Sequence, residues 1–389
     1  MRCKNCGFEN DRHAKHCGRC DEKFSGKSKG LFILAASLFV IMIAIIVVYL
    51  TTDVFNGSND DEVDVFDSTS DLFAAAGPGS DIHGAIHRIE YGDNVVYLFG
   101  TMHAATSDWF PLADVVEEAM RRADVFAFES DLTFESVELD ELLALRTFYE
   151  EDRFLPDDQT LADVLPADIH ESLVEHIESF GRTYEDVSRM NPIALAVELQ
   201  VEVMAEIFAD AGIYYDGQLG VDGYILDFAM RHDVPIIGLE PVLQQMRIGF
   251  APNEEILNRA GFDGSLADLM YDAFIEFISR DELLEILKEE EVVIYTDYLH
   301  NDLETMIQGM KVTDEELENE FMRYMVEVLM NFRSTYYAER IAELLRDTEE
   351  PTTFFVAVGI SHVIRTGDHL TNIVEQLALL GITAEPIFE

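Results

Sequence analysis

Val95-Val-Tyr-Leu-Phe-Gly-Thr-Met-His103 is a short apolar run that ends in a Gly-x-x-His turn, and Thr353-Phe-Phe-Val-Ala-Val-Gly-Ile-Ser-His362 repeats the pattern near the other end of the chain. Runs of this length, rich in Val and Phe and bounded by turn signals, read as buried strands. A glycine directly after such a strand lets the backbone turn sharply, which aims the histidine back over the strand tips. Two further apolar runs end in an acid: Val125-Phe-Ala-Phe before Glu129, and Ile236-Ile-Gly-Leu before Glu240. Ligands of open α/β sheets bind beyond the carboxyl ends of the strands, so all four groups are expected at one sheet edge.

Working outward, Ile86 to Tyr91 is a second strand, joined to the Val95 run through Gly92-Asp-Asn as a hairpin. A helix is expected from Pro111 to about Arg122. Residues 135–229 read as helical, broken at Pro156, Pro166, Gly181 and Pro192, and helices return from Pro241 to about Leu345. A helix from His369 to Leu380 and a last strand near Thr383 complete the pattern. Strands at both ends around a long helical middle predict an α/β domain over residues 81–389, a central β-sheet flanked by helices and carrying a large helical insertion.

What precedes this domain reads as three smaller parts. Cys3-Lys-Asn-Cys6 and Cys17-Gly-Arg-Cys20 are two C-x-x-C knuckles, the spacing of a tetrahedral structural zinc site, so residues 1–25 are expected to form a zinc ribbon. His13 and His16 lie between the knuckles as substitute ligands or surface residues. Leu31 to Leu50 has no charge, proline or glycine, and twenty helical residues span about 30 Å, the thickness of a bilayer core. A signal-peptide core is shorter than this. Residues 51–80, rich in Asp, Ser, Gly and Ala, read as a flexible acidic linker. Lys27 and Lys29 before the span and Asp53, Asp60, Asp61 and Glu62 after it place the N-terminus in the cytoplasm and the large domain outside the cell membrane.

The net charge of −50 is unevenly spread. Eight of the 26 Lys and Arg residues fall before residue 31, against four of the 76 acids, and only Lys288 and Lys311 are lysines beyond that point. Such a surface repels nucleic acid and anionic headgroups, so no nucleic-acid partner is expected. A Lys-poor, acid-rich surface also suits a high-salt habitat, although an acidic extracellular domain looks alike. The large domain has no cysteine, which excludes disulfides and thiol catalysis there.

Two imidazoles and one or two carboxylates converging on one edge have the composition of a divalent-metal site, with His103, His362 and Glu129 the expected ligands. Each residue also has a bland reading. A histidine after a strand is commonly a loop residue, one Gly-x-x-His says little, and Glu129, Glu240 and Asp222 can each cap a following helix. Four ligand-type groups at four strand ends carry the weight.

Together with Gly100-Thr-Met-His103, the motifs Phe128-Glu129, Gly220-Val-Asp222, Gly238-Leu-Glu240 and Val358-Gly-Ile-Ser-His362 with Gly381 resemble the TraB/PrgY/GumN family, which includes the membrane-tethered TIKI proteases. The resemblance covers Ile86 to Phe388. The family's paired Gly-x-x-His motifs fall on His103 and His362, and its acid after the second strand on Glu129. Its Arg-Asn pair falls on Arg333-Ser334, with serine in place of asparagine, and its His-Leu-Gly run is Val363-Ile-Arg here. The resemblance implies metal-dependent hydrolysis of a peptide or other amide, with Zn, Mn or Co as the ion. Glu240, or Glu129 if it is no ligand, is then the general base. Arg333 is an oxyanion stabiliser or an ion-pair partner, and Gly100, Thr101, Gly359 and Ser361 contact substrate. Other family members inhibit peptide signals, so a non-catalytic peptide-sequestering protein is the competing reading. A third is an envelope sensor whose zinc ribbon recruits a cytosolic protein partner.

Overall fold

The computed structural model describes Arg19 and residues 80–387, apart from 104, 107–108, 132, 134–136, 211–219, 267, 270–271, 273–296 and 365–366. Cys3, Cys6, Cys17 and Cys20, the apolar Leu31 to Leu50 span, and the linker up to residue 79 lie outside these residues. No helix among the described residues is long and apolar enough to cross a membrane. Ser80 is already docked, its N–H donating to Pro111 O at 2.9 Å.

Six strands form one mixed sheet: β1 (Ala85–Tyr91), β2 (Asn94–Thr101), β3 (Val125–Phe128), β4 (Ile236–Gly238), β5 (Thr353–Gly359) and β6 (Ala384–Pro386). Their order is β4-β3-β5-β2-β1-β6. The four strands β4, β3, β5 and β2 run parallel, so their carboxyl ends share one edge. β1 is antiparallel to both β2 and β6. Parallel strands are covered on both faces and therefore read as near-continuous apolar runs. β2 and β5 obey this, each buried along almost its whole length. Phe99, Phe355 and Phe126 lie side by side across β2, β5 and β3, with ring centroids 5.9 and 5.5 Å apart.

The β1–β2 hairpin turns through Gly92, whose φ of +62° lies in the left-handed region that costs glycine least. Asn94 stitches the hairpin to the neighbouring strand. Its Nδ2 donates to Leu345 O and Thr348 O at 3.0 and 2.9 Å, and its Oδ1 accepts from Thr352 N at 2.9 Å. That fixes the alignment of β2 with β5, and with it the relative height of the two Gly-x-x-His turns.

The helices that matter for the site are α1 (Asp114–Arg121), α2 (Pro192–Asp210), α3 (Val221–Arg231), α4 (Val242–Phe250), α5 (Arg333–Asp347) and α6 (Ile373–Leu379). Two begin later than the sequence pattern suggests. Leu112 N donates to the Glu117 carboxylate at 3.1 Å, so the chain after Pro111 turns once before α1 starts. Asn372 caps α6 by accepting from Glu375 N at 2.8 Å, which sets its start beyond His369. A π-helical stretch, Met325–Phe332, runs directly into α5 and is a type of distortion common at functional sites.

Candidate active site

His103 stands just past the end of β2, and the 220–222 segment packs against it. Val221 N donates to Met102 O at 2.8 Å. A Cβ on Gly220 would lie 2.5 Å from His103 O, so only glycine admits this approach. Asp222 opens α3, and its Oδ2 lies 2.5 Å from His103 Nδ1. The helix-capping role expected for Asp222 is therefore corrected: the N-cap residue is Gly220, with no side-chain cap bond, and the carboxylate serves the histidine instead.

His362 closes the second turn and is fully buried. Ser334 Oγ sits 2.8 Å from its Nδ1, and the Tyr337 ring meets it edge-on at 5.2 Å. The two turns touch. A Cβ on Gly100 would lie 2.9 Å from Ile360 Cγ1, and Tyr298 donates to Gly100 O at 2.9 Å. Gly359 N donates to Glu129 Oε1 at 2.8 Å. Both glycines thus serve the packing of the turns in this structure. Thr101 Oγ1 and Ser361 Oγ are buried with no hydrogen-bond partner among the described residues.

The pairing of β3 with β4 continues past their ends, Leu239 N reaching Phe128 O at 2.8 Å and Glu240 N reaching Glu129 O at 2.9 Å. This sets Glu129 and Glu240 side by side, with the fully buried Arg333 between their carboxylates. Arg333 donates to Glu129 Oε2 at 2.7 Å and, through Nε, to Glu240 Oε1 at 2.8 Å. Tyr337 adds a hydrogen bond to Glu240 Oε1 at 2.6 Å, while Gln245 and Gln244 donate to Glu129 Oε2 and Glu240 Oε2 at 3.0 and 2.8 Å. Of the two readings of Arg333, the ion pair describes what it touches.

Electrostatics separate the two imidazoles. Burial disfavours the charged form of His103, but the Asp222 charge and hydrogen bond, with Glu129 assisting and Arg333 opposing, leave its pKa above the ordinary value. Burial dominates at His362; Glu129 works against it, Arg333 and His103 with it, and the pKa falls to about 3. Glu129 is buried too, yet Arg333, both histidines and the Gly359 N–H hold its pKa down at about 2.

The donors present bear on whether a metal fits. Nε2 of His103 and Nε2 of His362 are both buried with no partner among the described residues, while each Nδ1 is held from behind. That is the arrangement of ligating histidines, whose second nitrogen is fixed by a carboxylate or a similar group. Glu129, the expected third ligand, is engaged by Arg333, Gln245 and Gly359 instead. Among the described residues no group of three or more His, Cys, Asp or Glu side chains is arranged to hold an ion. Each imidazole by itself has a buried, unpartnered Nε2 and a held Nδ1, as a ligating histidine does; the carboxylate does not complete a set in this arrangement.

A family model described as the TraB/PrgY/gumN family matches residues 85–386. The chain belongs to the TraB/PrgY/gumN family. No curated protein and no solved structure gives a significant match. In this TraB/PrgY/gumN chain, the residues that sequence reasoning missed are the partners: Gln244, Gln245, Tyr337 and Tyr298, and Asp222 in its role on His103. Asp222 had a sequence signal, its place in the Gly-Val-Asp motif. The two glutamines follow Glu240 by four and five residues on α4, a spacing that returns a side chain toward the start of its helix.

Proposed function

We propose that this TraB/PrgY/gumN member is a membrane-anchored, metal-dependent hydrolase acting on a peptide or other amide outside the cytoplasm. The observation that carries the reading is the pair of buried, unpartnered Nε2 atoms on His103 and His362. These two nitrogens would hold the ion, Zn, Mn or Co. Such an ion, when bound, lowers the pKa of its water and polarises a carbonyl. Thr101 Oγ1 and Ser361 Oγ are the free hydroxyls assigned to substrate. Glu129, Arg333 and Glu240 tie the ends of β3 and β4 to α5, and Glu129 also holds the Gly359 turn. A proton-acceptor role for either carboxylate requires release of its bond to Arg333. The zinc ribbon, the Leu31 to Leu50 anchor and the extracytoplasmic placement belong to this proposal and rest on the sequence.

The decisive comparison is the full chain in detergent, wild type beside a His103→Ala/His362→Ala double variant. Manganese bound by wild type and lost in the double variant, together with loss of hydrolysis on a peptide library, is the expected result; cobalt counts only beyond the equivalent that the cysteine knuckles take up in both proteins. Negligible manganese uptake by both proteins, with equal cobalt uptake that does not exceed the cysteine knuckles' share, sinks the hydrolase reading.

The same carboxylates favour a second reading, a peptide-sequestering protein without turnover, because Arg333 holds both of them in an ion pair. In that case His103→Ala retains peptide capture.

A further inference from the structure

Asp222 and Ser334 hold the two imidazoles by the same atom, Nδ1, but on different terms. An ionised carboxylate has only acceptor positions, whereas a serine hydroxyl donates or accepts. His103 Nδ1 must therefore carry a proton, and in the neutral ring the lone pair is left on Nε2, the buried nitrogen with no partner. His362 receives no such instruction, since Ser334 Oγ satisfies either tautomer. The carboxylate is also delivered rigidly. Gly220 lies against the His103 backbone, closer than any Cβ allows, Val221 N is bonded to Met102 O, and Asp222 sits in the first turn of α3.

We infer that Asp222 is the positioning residue that holds His103 in the tautomer with its lone pair at Nε2, making His103 the standing ligand for a divalent cation while His362 adopts its ligating tautomer only as the cation arrives. The ligand part of this statement rests on the hydrolase reading; the tautomer part stands without it. An acceptor-only partner does two jobs for a ligating ring: it fixes the ring plane, and, of the two neutral tautomers, it removes the one whose proton sits on the ligand nitrogen. Asn in place of Asp keeps the shape but is no longer acceptor-only: its amide offers either Oδ1 or Nδ2–H to His103 Nδ1, so the ring is no longer held to one tautomer.

The test uses the full chain in detergent and Mn2+, an ion that thiolate knuckles bind poorly. Mn2+ titration followed by electron paramagnetic resonance is run on wild type, Asp222→Asn, Asp222→Ser and Ser334→Ala, with 15N-histidine spectra of each recorded metal-free. Asp222→Asn is expected to weaken Mn2+ binding 10- to 100-fold, the range for loss of an outer partner. Its neutral His103 is expected to populate both tautomers, against Nδ1–H alone in wild type. Asp222→Ser, which makes His103 resemble His362, should fall between the two and carries the test if the Asn variant does not fold. Ser334→Ala should weaken binding less than Asp222→Asn. Wild-type affinity in both Asp222→Asn and Asp222→Ser, or a loss in Ser334→Ala equal to that in Asp222→Asn, overturns the inference. Should wild type bind no Mn2+, the hydrolase reading fails by itself; the spectra then decide the role of Asp222, and an unchanged His103 tautomer in both Asp222→Asn and Asp222→Ser refutes it.

Discussion

Arg333 is the residue on which the interior of the site balances. One guanidinium without solvent access faces two carboxylates, so its removal leaves two buried negative charges with no cation between them. Breaking a buried pair in this way costs about 3–5 kcal/mol, well beyond a surface ion pair. Arg333→Met is therefore expected to lower unfolding free energy by that amount in a denaturant titration, and a loss under 1 kcal/mol would show the triad to be dispensable. His362 gives a prediction in pH. Its native pKa of about 3 lies below the unfolded value of 6.5, so as pH falls through 6.5 the unfolded chain takes up a proton that the native chain refuses. Stability is present above pH 6.5 and is lost on acidification at up to about 1.4 kcal/mol per pH unit. Between pH 6.5 and 4.5, above the range where Glu129 contributes, metal-free wild type should lose stability more steeply than His362→Phe. Parallel slopes would contradict the buried, neutral ring. Which residues would matter was legible in part: His103, His362, Glu129 and Glu240 each follow an apolar run too short for anything but a strand. Asp222 and Ser334 were visible only as motif positions; their pairing with the histidines was not, because only the packed fold brings them there.

Among the elements, the parallel strands were readable because burial on both faces leaves a sequence signature, whereas helix starts depended on single hydrogen bonds such as that of Asn372. The π-helical stretch Met325–Phe332, which runs straight into Arg333 and Ser334, has no such signature. The close contact of β4 with the loop after β3 is a sharper test of the architecture. A Cβ on Gly238 would stand 2.6 Å from Asp131 N, a backbone atom with little room to yield. Gly238→Ala is expected to cost about 1–3 kcal/mol, the usual range for overpacking. At Gly92 the space around the turn is open and only the positive φ matters. Gly92→Asn, a residue that tolerates this region, should stay within about 0.5 kcal/mol of wild type. Equal effects at the two positions would mean that the β3–β4 edge is looser than described.

At the scale of the whole molecule the acidic excess dominates. Self-repulsion between like charges destabilises a compact state, and salt screens it over about 10 Å at 0.1 M and about 3 Å at 1 M. The melting temperature is thus expected to climb by several degrees between 0.1 and 2 M KCl; a flat or falling curve would mean that the surface charge is already balanced locally. Screening has a second consequence, which the two rims of the sheet answer. β4 and β6 are each three residues long, and β6 ends in Pro386, which has no N–H to offer. When brine strips away the electric repulsion between neighbouring copies, a visiting chain still finds almost no open ladder on which to zip itself. Crowded molecules can in this way remain individuals where charge no longer keeps them apart.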